Sequence, residues 1–176
     1  MAETHRARLL ADPAMARALL TGAKRQMRVP LASPLATLVP GALVMMAEAV
    51  VPGRFVDGAE LATDRCRAAH VAFADRWRRD REGTMWRGPP LADAAEKWLA
   101  AVHMPDWGCR LVLRVAWTRI ESLCAITRAD ARAEGGGRWA PIRAFAKNWD
   151  VTHAVPGLRW ADDPHVMVLG LGPVQD

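Results

Sequence analysis

The run from His103 to Glu134, HMPDWGCRLVLRVAWTRIESLCAITRADARAE, constrains this chain more than any other stretch. Arg110 to Val115 partly alternates charged with branched apolar residues, the pattern of a strand with one face on a core. Met104-Pro105 suits the entry to that strand. Thr127 then precedes Arg128-Ala129-Asp130, a helix start in which a hydroxyl and a carboxylate satisfy the free amides of the first turn. Gly135-Gly136-Gly137 ends that helix, because glycine accepts the left-handed stop at little steric cost. A buried strand, a turn and a short helix with an acidic end therefore follow one another, and the rest of the chain must pack around them.

Upstream, Asp12-Pro13 opens a helix, with proline at the position whose amide would be unpaired anyway. Met15, Leu19 and Leu20 give that helix an apolar side and Gly22 ends it. Lys24 falls just beyond, in a turn from which a side chain can reach a cleft. Ala42 to Ala47 reads as a buried strand, with Glu48 near its end, and Val50 to Gly58 as a turn-rich passage. From Asp57 to Arg81 the residues Ala62, Cys66, Ala69, Phe73 and Trp77 recur at three- and four-residue spacing, which predicts a helix. Its basic end suits the helix dipole without any ligand. Leu91 to Val102 is expected to be a second, short helix with Trp98 inward. Downstream, Ala140 to Trp149 reads as a helix, Val151 to Trp160 as a loop, and Val166 to Leu171 as a last strand.

A chain of 176 residues holds one domain with a real core better than two small ones, so a single domain over residues 1–176 is expected. The net charge of +5 favours polyanions weakly and without specificity. Cys66, Cys109 and Cys124 form no CxxC or Cys/His ligand spacing, which argues against a disulfide framework or a structural zinc and suits a reducing cytoplasm. His103 and Cys109 flank Trp107, but the local sequence lacks further ligands, so neither metal nor cofactor is expected. Val29 to Val51 is interrupted by Pro30, Pro34 and Pro40 and carries Glu48, too broken to span a bilayer.

HMPDWGCRLVLRV followed by ITRADARAEG resembles the phage and prophage branch of the ASCH-domain proteins, whose pattern runs H-M-P-x-W-x-x-R, a strand, then I-x-x-x-D-A-x-x-E-G. Similar blocks appear in family order: Gly22-Ala23-Lys24, Pro40-Gly41 through Glu48, Asn148-Trp149-Asp150, Trp160-Ala161 and Asp163 to Val168. The resemblance implies an α+β, PUA-like small mixed β-barrel with helices packed outside, its cleft accepting nucleotide-like ligands. On that reading residues 57–101 are a helical insertion, and the helix over 57–81 is a candidate face for a protein partner.

In the amidohydrolase members of the superfamily, a lysine and a threonine in K-x-x-T cooperate with a glutamate of the later helix. The resemblance carries the lysine to Lys24 and the glutamate to Glu134, whereas Met27 stands at the threonine position and supplies no nucleophile. Taken alone, Lys24 and Glu134 read first as solvated charges near helix ends. Arg28 keeps a family arginine, and Glu48 keeps the glutamate of a strand that has lost its arginine and tryptophans. Core packing accounts for most of the eight tryptophans, Trp98, Trp117 and Trp149 among them. Trp107, in a loop beside Arg110, is the one nominated for a ligand.

The expected function is thus an RNA- or modified-nucleoside-binding domain without threonine-dependent catalysis, with Lys24, Arg28, Glu48, Trp107, Arg110 and Glu134 lining the cleft. The alternative is an amidohydrolase that removes an acyl group from a modified cytidine, using Lys24 and Glu134 with water.

Overall fold

The structure, a computed structural model, describes residues 6–91 and 94–174. In chain order the strands and α-helices are β1 (Arg6–Ala11), α1 (Pro13–Leu20), β2 (Gln26–Pro30), β3 (Leu43–Glu48), β4 (Val50–Val56), β5 (Ala59–Ala62), β6 (His70–Phe73), β7 (Trp77–Asp80), β8 (Met85–Arg87), β9 (Val112–Ser122), α2 (Arg128–Ala133), α3 (Pro141–Thr152) and β10 (His165–Pro173). They form an α+β fold with two five-stranded sheets, ordered β1-β3-β9-β10-β2 and β5-β4-β6-β7-β8. Neither order returns to its first strand, so no closed barrel is present among the described residues. The chain divides into two compact units: the described residues of Met1–Ala7, Arg17–Val44 and Leu113–Asp176, and those of Arg8–Ala16 and Met45–Val112.

In the first unit β10 lies between β2 and β9 and is antiparallel to both. Its Val168 stands opposite Arg28 on one side and Arg119 on the other. Gly170 likewise stands opposite Gln26 and Trp117. Residues directly opposite share a face of the sheet, and neighbours along a strand alternate. Gln26, Arg28, Trp117 and Arg119 therefore belong to one face, and Met27 to the other. A Cβ on Gly170 would lie 2.2 Å from Cε2 of Trp117, so the indole rests directly on the strand backbone. The core joins Val166, Val168 and Leu123 to Trp149 of α3, with Phe145 and Trp160 against it. The Trp149 indole N–H also donates to the carbonyl of Leu158 at 2.6 Å.

In the second unit β4, β6, Ala47, Met104 and Cys109 build the core around Val50, Val71 and Phe73. The helix expected from Asp57 to Arg81 does not form. Asp57 and Gly58 both take positive φ, 49° and 81°, and turn β4 into β5 as a tight hairpin. β6 and β7 follow as further antiparallel strands, and Cys66 sits in a single 3-10 turn over Arg65–Arg67. The three- and four-residue recurrence was coincidental, since an Asp-Gly turn flanked by strand-forming Phe55-Val56 outweighs alanines that any element accepts. With that helix goes the partner face assigned to it. Val50 to Gly58, read as turn-rich, is mostly strand. No helix forms in the described part of 91–102 either: Leu99 exchanges backbone hydrogen bonds of 3.1 and 2.8 Å with Val50, a 3-10 turn follows over Ala101–His103, and Trp98 is 45% exposed. Residues 92 and 93 of that stretch lie outside the described residues. No described helix is long and apolar enough to cross a membrane.

Candidate functional site

Lys24 and Glu134 are separated by 110 residues and meet. Asp12 caps α1 by accepting from the amides of Ala14 and Met15 at 2.8 Å, and Gly22, at φ 71°, turns the chain after it. The Lys24 amide then donates to Ala18 at 2.9 Å, and the Arg25 amide to Ala133 at 2.7 Å, which holds this turn against the end of α2. At the other side, Thr127 and Asp130 form the expected capping box: the Thr127 hydroxyl accepts from the Asp130 amide at 3.1 Å, and the Asp130 carboxylate from the Thr127 amide at 3.2 Å. Gly135, at φ 88°, ends the helix just after Glu134.

The side chains complete the arrangement. Nζ of Lys24 donates to Oε2 of Glu134 at 2.8 Å and to the Glu134 carbonyl at 3.0 Å. Nη1 of Arg28 donates to Oε1 of the same carboxylate at 3.0 Å, while its Nη2 pairs with Glu121 and lies 3.7 Å from Asp130. Arg119 donates to Glu121 at 2.7 Å and to Asp130 at 3.2 Å. With its amide oriented by the hydrogen-bond network, Gln26 accepts from Arg28 at 2.7 Å and donates to Asp130 at 3.2 Å. Three cations, Lys24, Arg28 and Arg119, thus face three carboxylates, Glu121, Asp130 and Glu134, and their charges cancel. The Arg28 side chain is fully buried, with its guanidinium 5.8 Å from the Phe145 ring.

Burial alone would raise the Glu121 carboxyl, but hydrogen bonds from Arg119 and Arg28 outweigh it and hold the group below the usual carboxylate range. Asp130 is lowered in the same way: burial opposes, and bonds from Thr127 and Arg119 prevail. The Glu121 hydrogen bond in turn raises Arg119. The Glu134 side chain is 3% exposed, and both its oxygens accept from cations. Lys24 is 10% exposed, and the third N–H of its ammonium has no protein acceptor among the described residues. Arg119, with a side chain 41% exposed, is the most open member of the network, and Lys24 keeps one unoccupied donor beside the Glu134 carboxylate.

The other nominated residues belong to the second unit. Arg110 grips Glu48 with two bonds of 2.8 Å, donates to Asp75 at 2.8 Å, and sits 4.0 Å from the centre of the Phe73 ring. Burial would lower Arg110, but these carboxylates raise it. Both oxygens of Glu48 are taken by Arg110, so this pair braces the core. Trp107 stands apart, on the wall of an open cavity of about 690 Å³ shared with Asp64, Arg65, Cys66, Arg81 and Asp106. The Arg81 guanidinium lies 5.2 Å from its ring. The structure therefore brings Lys24, Arg28 and Glu134 together, pairs Glu48 with Arg110, and leaves Trp107 on a pocket wall.

Sequence reasoning missed Gln26, Arg119 and Glu121, and it assigned Asp130 only to the helix cap. The signal was present: Arg119 and Glu121 are two apart on a strand, and Asp130 is four before Glu134, so each pair shares a face. Comparison of the chain with models of protein families, with curated proteins and with solved structures finds no match.

Proposed function

We propose that the chain is a cytoplasmic binding module for RNA or a modified nucleoside, a divergent PUA-like ASCH domain of phage or prophage type without the family's threonine-dependent catalysis. The observation that carries this reading is the pairing of Lys24 with Glu134 at 2.8 Å, because the resemblance to that family implies these two residues in one site. The spare N–H of Lys24 is the donor offered to a phosphate or a carbonyl of the ligand.

The residues at the threonine and glutamate positions support the absence of that route. Met27 has no hydroxyl, and strand alternation directs its side chain to the face opposite Arg28. Each oxygen of Glu134 already accepts from a cation and the side chain is 3% exposed, which disfavours a water-activating role for it.

The test is fluorescence anisotropy with a short single-stranded RNA across a salt series, together with thermal-shift screening of modified nucleosides. Salt-sensitive RNA binding, or a nucleoside-induced rise in melting temperature, weakened in each case by Lys24→Gln, is the expected result. A chain that binds neither probe rejects the proposal.

A further inference from the structure

The first unit has an open cavity of its own, about 430 Å³, with an apolar wall of Pro141, Ile142, Ala146 and Trp160. Arg128, the first residue of α2, and Arg143 on α3 supply its charge, and no carboxylate lines it. Neither guanidinium has a hydrogen-bond or ion-pair partner among the described residues, unlike Arg28 and Arg119 nearby in the fold. The cavity is large enough for one nucleotide. It therefore joins a flat apolar surface to two uncompensated cations.

Next to it in the chain stands Trp139, 87% exposed, whereas Trp98, Trp117 and Trp77 are exposed by 45%, 38% and 36%. An indole this bare contributes nothing to a core and keeps both faces open. Arg138 precedes it and Ala140, in a left-handed conformation at φ 45°, joins it to the cavity wall. Cations that follow a backbone and an aromatic ring that takes a base are the two elements of single-strand recognition. A duplex would not use the indole, since its bases are already stacked.

We infer that Trp139, Arg128 and Arg143 form a subsite for two successive nucleotides of single-stranded RNA. One base enters the cavity against Trp160 and Pro141, the neighbouring base stacks on Trp139, and the phosphates lie against the two arginines. This rests on reading the chain as an RNA binder and adds where the strand is held, on residues apart from Lys24 and Glu134.

The experiment measures binding of a short dye-labelled oligocytidine to the full chain by anisotropy, over a salt series. Trp139→Ala should weaken binding by about 5- to 150-fold, and Trp139→Phe should restore most of it. The double substitution Arg128→Gln/Arg143→Gln should reduce the slope of log K against log salt by about 1.4, the share of two phosphate contacts on a single strand. Urea midpoints of all variants should match the natural chain, since the three side chains are exposed. If the natural chain binds oligocytidine and every variant binds alike with the same slope, the subsite is overturned while RNA binding stands. Polyglutamate binding as tight as RNA, together with indifference to Trp139→Ala, overturns it in favour of a plain polyanion patch. Binding of modified nucleosides without oligocytidine overturns the subsite alone, and no binding of any kind overturns both readings.

Discussion

Replacing Glu134 by Gln tests the charge network where it is most buried. The Gln oxygen can still accept from one cation, but its NH₂ group then confronts the other, so either Lys24 or Arg28 loses its partner in a site only 3% exposed. Removing one partner of a buried ion pair costs about 3–5 kcal/mol. The low end applies here, because Arg28 keeps Glu121 and Lys24 keeps the Glu134 carbonyl. With a urea dependence of about 2 kcal/mol per molar, a loss of about 3 kcal/mol lowers the unfolding midpoint by about 1.5 M. The control is Asp106→Asn, which breaks a pair with Arg8 in which the aspartate is 82% exposed, and which should cost no more than about 1 kcal/mol. Lys24→Met combined with Glu134→Gln should be milder than the sum of the two by about 0.5–3 kcal/mol, since the charges share one site. A Glu134→Gln midpoint no lower than that of Asp106→Asn would refute the claim that this carboxylate holds the first unit together.

Acid should act on the same network. The folded-state values of Glu121 and Asp130 lie below the ordinary 4.5 and 3.8, so their stabilisation is present above those values and is lost as pH falls through the lowered ones. Arg119→Gln should move acid unfolding, followed by circular dichroism, to higher pH. His70 should act near neutrality: burial lowers its value from 6.5 against the pull of Glu60, so the fold resists protonation and stability declines as pH falls below 6.5. The urea midpoint should drop between about pH 7.5 and about pH 5.5, and His70→Gln should flatten that drop. Gly170→Ala should cost about 1–3 kcal/mol by driving a methyl into Trp117, and Trp117→Val should rescue it in urea titrations. Met27→Thr should gain no hydrolysis of acetylated cytidine, and turnover appearing in that variant would contradict the strand register.

Much of the β1-β3-β9-β10-β2 sheet and of the helices is legible in the sequence because the signals are local and mutually consistent. Asp12-Pro13, the Thr127 and Asp130 cap, and Gly135 each dictate a helix end through their own backbone chemistry, and each is found where it was expected. The apolar runs that become β3 and β10 are equally plain. The β5-β4-β6-β7-β8 sheet is harder to read because its strands are only three to seven residues long, and alanine-rich segments over that length satisfy helical and extended periods alike. Asp57-Gly58 carried the decisive information. The pairing of Lys24 with Glu134 was accessible only through the resemblance, since no periodic rule links residues so distant. Their companions Arg119 and Glu121 needed the strand register, which places them beside Arg28 across β10.

Six residues are too few for a helix to persist alone in water. α2 survives because Asp130 does two jobs at once, completing the first turn with Thr127 while neutralising guanidinium groups that arrive on β2 and β9. Its formation and the desolvation of those arginines are consequently a single cooperative event. In hydrogen exchange the amides of this short segment should open together with the central strands rather than fray independently.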